Sequence, residues 1–462
     1  MNSTTEKLAP SFRDPSGFLF QRNDQIFRQV NSCYKDDYDL LMSCGLYEKL
    51  VQKQMLLPHQ ESDVPACVPD LAYKIILPQK VNFISYPYEW SFSQLKDAAL
   101  QTLRIQKTAL QSGMILKDAS AYNIQFHHGS PILIDTLSFT RYIEGQPWVA
   151  YRQFCQHFLA PLALMSLADI RLNKLLQIYI DGIPLDLASK LLPRSSWTKG
   201  GILTHIHMHA YAQKRYSAPT GASAKKNIRM RKEAMMGLIE SLARIVKKLT
   251  WKASDTDWVN YYQETNYSKE AFEQKKQIVY RLIQDLAPQS ILDLGANTGE
   301  FSRLGKDIED CQIISTDIDP GAVELNYLES KKAKIKNILP LLIDLANPSP
   351  AIGWSNTERQ SFFRRAPVDL LLALALIHHL AISNNVPLRD IAHTFASLGK
   401  NLIIEFVPKE DSQVKKLLAS RQDIFKDYSI EGFVQAFTHD FTLQKQIPIP
   451  GTCRTIYWFS KE

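Results

Sequence analysis

Residues 291–301 read Ile-Leu-Asp-Leu-Gly-Ala-Asn-Thr-Gly-Glu-Phe. An apolar run ends in Asp293, and a loop with Gly295, Ala296, Asn297 and Gly299 precedes a helix-compatible segment. Such a strand–loop–helix turn lets a ligand approach bare backbone. Glycine has no Cβ, and Asn is among the few other residues that tolerate a left-handed backbone. Two more acids close apolar runs: Asp317 ends Ile-Ile-Ser-Thr-Asp, followed by Ile318, and Asp344 ends Leu-Leu-Ile-Asp. One carboxylate can accept both hydroxyls of a ribose, and an acid after the second strand of a nucleotide-binding sheet commonly does so. Asp317, with Ile318 beside it, stands in that place. Further on, residues 369–380 form an apolar run closed by His378-His379, and Glu405 follows in an apolar context. An imidazole there can take a proton from a hydroxyl or an amine. A carboxylate nearby would orient it or raise its basicity. Glu405 reads equally as half of a structural ion pair with Arg421 or Arg454.

These residues need a scaffold. Apolar runs at 290–294, 311–316, 338–343, 368–376, 400–407, 441–447 and 454–460 read as strands. Helical patterns at 270–286, 299–307, 320–330, 387–398, 411–419 and 429–437 fall between them, except before the last strand. The alternation predicts a parallel sheet covered on both faces, with ligands beyond the carboxyl ends of its strands. The last two strands have no clear helix between them, and the family resemblance given below implies that they close the sheet as an antiparallel hairpin. The expected fold is α/β: a doubly wound, Rossmann-like sheet with an antiparallel last strand over 256–462, after an N-terminal α+β domain over 1–225. Between them lies a basic linker and helix over 226–255, which includes Arg229, Arg231 and Lys232. Met236, Ile239, Leu242 and Ile245 give its apolar face.

The Asp-x-Gly-x-Asn-x-Gly spacing, taken with three strand-end acids, resembles the first motif of class I S-adenosylmethionine (SAM)-dependent methyltransferases. It is not the dinucleotide Gly-x-Gly-x-x-Gly. Asn297 stands where that family carries its middle glycine. The resemblance covers about 255–462. It implies SAM as cofactor, held by Asp293, Gly295, Ala296, Asn297, Gly299, Asp317, Ile318 and Asp344, with Asp344 on the adenine amino group. Acidic walls suit the sulfonium and ammonium charges of SAM. The resemblance also implies methyl transfer to an O or N acceptor beside the fourth strand, with His378, His379 and Glu405 as candidates for deprotonating it. Which histidine serves is open. The aromatic lead-in of Trp258, Tyr261, Tyr262 and Tyr267 either folds over the ligands, as in many members, or packs the domain edge. No Asn-Pro-Pro-Tyr or catalytic Cys motif appears, which disfavours amino-methylating nucleic-acid enzymes and 5-methylcytosine chemistry. The chain as a whole resembles bacterial nodulation-type methyltransferases.

The N-terminal half carries Asp118, Asn123 five residues later, and Asp135 at the end of an apolar strand. This set resembles the catalytic loop and metal-binding acid of kinase-like phosphotransferases. Lys117 replaces the usual residue before the first acid, and no Gly-rich phosphate loop precedes it. The alternative is a loop between a helix over 93–113 and a hairpin, with Asp118 and Asn123 making turn hydrogen bonds. His205, His207 and His209 read as surface or packing histidines.

The 462 residues suggest two or three domains. A net charge of +7 permits nucleic acid as a partner without demanding it. Six scattered cysteines without a C-x-x-C pair fit a reduced compartment. No apolar stretch is long enough for a membrane span, so a cytoplasmic protein is expected, with no metal centre. The methyl acceptor stays open among small molecule, RNA and protein. Two other functions also fit the pattern: a non-catalytic SAM-binding scaffold or sensor, and a bifunctional protein with a kinase-like N-terminal half.

Overall fold

The computed structural model describes residues 6–216, 229–253, 267–419 and 422–461. They group into two compact units. One holds the chain up to Trp251 together with Ala351–Gln360, and the other holds Lys252–Pro350 with Ser361–Glu462.

The first unit opens on strands β1 (Glu6–Lys7), β2 (Gly17–Arg22), β3 (Gln25–Asn31), β4 (His59–Glu61) and β5 (Ala72–Pro78), paired in the order β1-β2-β3-β5-β4. Two helices, Lys35–Ser43 and Leu46–Gln52, lie between β3 and β4 in sequence. The long helix Phe92–Gln111 then starts at a capping box: Ser91 Oγ accepts from the Gln94 N–H, and Gln94 Oε1 accepts from the Ser91 N–H. After it come β6 (Met114–Leu116), β7 (Ile124–His127), β8 (Ser130–Leu133) and β9 (Phe139–Arg141). β6 pairs with β9, and β7 with β8. The helix Lys232–Lys248 packs against Phe92–Gln111. It buries Met235, Ile239, Leu242 and Val246, so its inward face is turned slightly from the one expected through Met236 and Ile245. Residues 217–228, which include the start of the basic linker, lie outside the described residues.

The second unit has strands β10 (Ser290–Leu294), β11 (Gln312–Asp317), β12 (Ile338–Leu342), β13 (Val368–Ala373), β14 (Gly399–Phe406), β15 (Thr442–Pro448) and β16 (Thr455–Ser460). They form one sheet in the order β12-β11-β10-β13-β14-β16-β15. The first five are parallel, and β16 runs antiparallel to both β14 and β15. The central strands are near-continuous apolar runs because helices cover both faces. Val279, Leu282 and Ile283 of helix Lys269–Leu286 join Ile291, Ile313, Leu370, Leu372, Ile403 and Ile456 in one core. The α/β sheet with an antiparallel last strand is as the sequence predicts.

Two local expectations need correction. Residues 299–307 form only a short 3-10 turn at Ser302–Gly305 rather than a helix. The fourth strand stops at Ala373 rather than 376, because Ala375 turns into the left-handed region (φ 52°) and takes the rest of the apolar run out of the sheet.

Candidate active site

The strand order reverses between β10 and β13, and in such sheets ligands bind beyond the carboxyl ends at this point. The loop after β10 lies there. Gly295 (φ 68°), Asn297 (φ 50°) and Gly299 (φ 82°) alternate in the left-handed region, which turns the chain sharply. The end of β11 clamps this loop. The Ala296 N–H donates to the Thr316 carbonyl at 2.9 Å, and the Asn297 N–H donates to Asp317 Oδ2 at 2.8 Å. Asp317 Oδ1 accepts from the Asp319 N–H at 2.9 Å, and Asp319 caps helix Pro320–Lys332.

The glycines answer partly to the protein. A Cβ on Gly299 would meet Asn326 Oδ1 at 2.4 Å, whereas one on Gly295 would meet only a Leu376 methyl at 3.1 Å. Gly299 therefore has a packing reason to be glycine that is independent of any ligand. Asn326, which supplies it, belongs to helix Pro320–Lys332.

Asp293, Asp317 and Asp344 end or follow adjacent strands. Asp293 is buried and accepts from Ser302 Oγ at 2.6 Å. Burial pushes its carboxyl up to about 7 and that of Asp317 up to about 6. Asp344 is partly exposed two residues beyond β12, where its Oδ1 accepts from the Ala346 N–H at 2.9 Å. Ile318, next to the buried Asp317, is 57% exposed. An exposed apolar side chain beside a buried acid suits one face of a purine.

His378 and His379 do not close β13; they follow the left-handed turn by three and four residues. Their ring centroids are 4.2 Å apart. His378 is buried, and its Nδ1 meets no hydrogen-bond partner among the described residues. Burial, then His379, Arg454 and Lys275, holds it well below the usual histidine range, so it is neutral at pH 7. Burial also lowers His379. A neutral imidazole can accept a hydrogen bond from an O–H or N–H group.

Glu405 is tied to other partners. It is fully buried, pairs with Lys275 Nζ at 2.6 Å and Arg454 Nη1 at 3.3 Å, and accepts from the Tyr267 hydroxyl. Arg454 in turn forks onto Asp411, Nε to Oδ2 at 2.7 Å and Nη2 to Oδ1 at 3.1 Å. Burial would raise the Glu405 carboxyl, but Lys275 and Arg454 hold it below the ordinary range. The ion-pair reading of Glu405 with Arg454 is therefore the arrangement seen, in place of a carboxylate orienting a histidine. Arg421 lies outside the described residues, as do Trp258, Tyr261 and Tyr262; Tyr267 belongs to the Glu405 network. Sequence reading missed Lys275 and Asp411. Lys275 sits among Lys269, Lys276 and Glu273 and carries no signal that sets it apart from a surface lysine.

In the first unit, Asp118, Asn123 and Asp135 belong to one polar group. Asn123 bonds to Asp118 and to Ser138 Oγ (3.2 Å), and Ser138 Oγ donates to Asp135 Oδ2 at 2.7 Å. Arg28 of β3 pairs with Asp135 at 2.6 Å and with Asp14 at 3.1 Å. His205 and His209 both face Tyr151, while His207 bonds to Ser189 and Ser196. Among the described residues, no group of three or more His, Cys, Asp or Glu is placed to hold a metal ion, and no helix is long and apolar enough to cross a membrane.

The sheet order, its antiparallel last strand and the clamped loop at the switch point define a class I methyltransferase fold, the class whose cofactor is SAM. No family model matches the chain. It is 34% identical over 460 residues to the nodulation protein NoeA of Rhizobium meliloti (strain 1021), covering 98% of this chain and 96% of that one. The chain belongs to the NoeA family of nodulation proteins. Solved structures with partial likeness include the N-methyltransferase NodS of Bradyrhizobium japonicum WM9 with S-adenosyl-L-homocysteine (12% identity, TM-score 0.32, 45% of this chain and 93% of that one). Magnesium protoporphyrin IX methyltransferase of Synechocystis PCC 6803 with SAM gives 15%, 0.29, 46% and 88%. The bifunctional kinase-methyltransferase WbdD gives 13%, 0.31, 45% and 44%. The fold assignment rests on the strand order itself.

Proposed function

We propose that the protein is a SAM-dependent methyltransferase acting on an O or N acceptor. The observation that carries this reading is Asp317: a buried strand-end carboxylate that holds the Asn297 amide and has the exposed Ile318 beside it. In this reading Asp317 takes the ribose hydroxyls, Ile318 covers the adenine face and Asp344 accepts from the adenine amino group. Gly295, Ala296, Asn297 and Gly299 shape the loop against the methionyl part, and Asp293 adds negative charge behind it. SAM supplies an activated methyl group on a sulfonium. The protein's share is to place the acceptor in line with that methyl and to exclude water. Both His378 and His379 are held below the usual histidine range, and one of the two accepts a hydrogen bond from the acceptor and takes its proton as the methyl group arrives. Glu405 supports this wall through Lys275 and Arg454 without touching the acceptor.

The curated relative is named a nodulation protein, and the acceptor is first sought in nodulating bacteria. Methyl-labelled SAM is incubated with cell extract and wild type, or with a His378→Ala/His379→Ala double variant. Label incorporated by wild type and lost in the variant supports the reading. Tight SAM binding with no label transferred in any extract favours a non-catalytic SAM binder instead.

A further inference from the structure

Helices Phe92–Gln111 and Lys232–Lys248 of the first unit run antiparallel. Lys96 Nζ donates to the Lys247 and Leu249 carbonyls at 2.9 and 2.7 Å, while Lys107 Nζ pairs with Glu240 at 2.8 Å. Early residues of one helix thus meet late residues of the other. Between them the two helices leave a groove of about 440 Å³. Its floor is apolar: Leu103 and Ile239 are buried there, and Leu100 and Ala243 are half-buried.

The walls are basic on both sides. Lys107 stands level with Glu240, and Lys247 stands level with Lys96. Glu240 and Lys247 are seven residues apart, about 10 Å along the helix axis. Arg104 lies one turn inward from Lys107, and Arg244 one turn inward from Lys247, so each helix contributes two cations. Glu240 offsets only part of this charge. Its pair with Lys107 is exposed, and such pairs contribute little. Four cations against one acid leave the groove with a net charge of +3.

This pattern selects among occupants. A single anionic lipid carries its charge at one end and would leave the cations of the other end unanswered. Nucleic acid needs aromatic platforms or base-edge partners, and no aromatic ring lines this groove. A second copy of the groove would present like charge. A helix with an apolar stripe at i, i+3, i+4 and i+7, flanked on both sides by acids, matches the floor and both walls.

We propose that the groove between helices Phe92–Gln111 and Lys232–Lys248 docks an acidic amphipathic helix of a partner protein. Leu100, Leu103, Ile239 and Ala243 receive its apolar stripe, and the arginines and lysines of the walls receive its acids. This inference does not depend on SAM binding or on the methyl acceptor.

Fluorescence anisotropy on the full-length protein tests it. The probe is a fluorescein-labelled helical peptide with leucines at i, i+3, i+4 and i+7 and glutamates on either side. A control peptide carries lysine for every glutamate. Wild type should bind the acidic peptide saturably, bind the control at least about tenfold more weakly, and lose affinity as salt rises. Arg104→Glu/Arg244→Glu reverses charge on both walls and should weaken binding by about tenfold or more, whereas Arg104→Lys/Arg244→Lys should retain it. Ala243→Arg fills the floor while adding positive charge. It should weaken binding by about tenfold, where a purely electrostatic surface effect would strengthen it. Far-UV circular dichroism checks that each variant keeps its helices. Absence of saturable binding to wild type, equal binding of the two peptides, or unchanged affinity in both Arg104→Glu/Arg244→Glu and Ala243→Arg would overturn the proposal. So would binding to phosphatidylglycerol vesicles in preference to the peptide, lost on the same charge reversal.

Discussion

The Asn297 backbone N–H donates to Asp317 Oδ2 at 2.8 Å, tying the turn after β10 to the end of β11. One side chain thereby sets the loop after β10 from the neighbouring strand, and Asp317 is held in place by the loop it holds. The chemistry of the site and its fold share the same few atoms, and this shapes how substitutions should behave.

Gly299→Ala should destabilise far more than Gly295→Ala. Both glycines have positive φ, so each substitution carries about 1 kcal/mol of backbone strain. Only the Gly299 Cβ also drives into Asn326, which adds about 1–3 kcal/mol of overpacking. Urea unfolding of the two variants should show the larger midpoint drop for Gly299→Ala. The reverse order would mean the loop packs differently.

Glu405→Gln should act as a stability variant. It removes the charge that Lys275 faces in the interior, while Arg454 keeps its fork on Asp411, and breaking a buried pair by removing one partner costs about 3–5 kcal/mol. A marked fall in the unfolding midpoint is expected. Full stability with turnover abolished would instead make Glu405 a catalytic base.

SAM affinity should rise with pH. Asp293 and Asp317 have carboxyls raised to about 7 and about 6, so part of each population is protonated near neutrality. A bound cation favours the ionised form, so binding releases protons and tightens as pH climbs through about 6–7. Folding alone runs the other way. Carboxyls raised in the folded state stabilise it below their unfolded value, and that stability is lost as pH rises through 6–7. Calorimetry from pH 5.5 to 8 in buffers of different ionisation heat reads the proton release directly. Flat affinity with no proton release would contradict the assignment of these acids.

His378→Ala and His379→Ala should leave SAM affinity within about threefold of wild type while lowering turnover by about 100-fold for whichever acts as base. A histidine that only packs would change stability and leave turnover at the wild-type level. Single-turnover rates, measured once an acceptor is known, separate the two.

The sheet was legible because its strands are long apolar runs whose period needs no tertiary knowledge. The Asp293–Gly299 turn was legible because left-handed positions restrict residue choice. Asp317 stood out because an acid at the end of such a run is costly unless something uses it. Three features were not legible. Ala375 takes a left-handed conformation that its residue type does not announce, so the fourth strand seemed to run on to the histidines. Lys275 looks like its solvated neighbours, and only the fold brings it to Glu405, 130 positions away in sequence. The Arg13–Glu358 fork joins residues 345 positions apart, beyond the reach of any local pattern.

The central claim is that the loop after β10 and the acid after β11 form a SAM site. Calorimetric titration of SAM into wild type, Gly295→Arg and Asp317→Ala tests it most directly. Saturable one-site binding is expected for wild type. It should be lost in Gly295→Arg, where a long side chain enters the loop, and weakened by about 10–100-fold in Asp317→Ala, where the charged acceptor is gone. A folded wild-type protein that binds no SAM, or binding that both substitutions leave unchanged, would contradict the account.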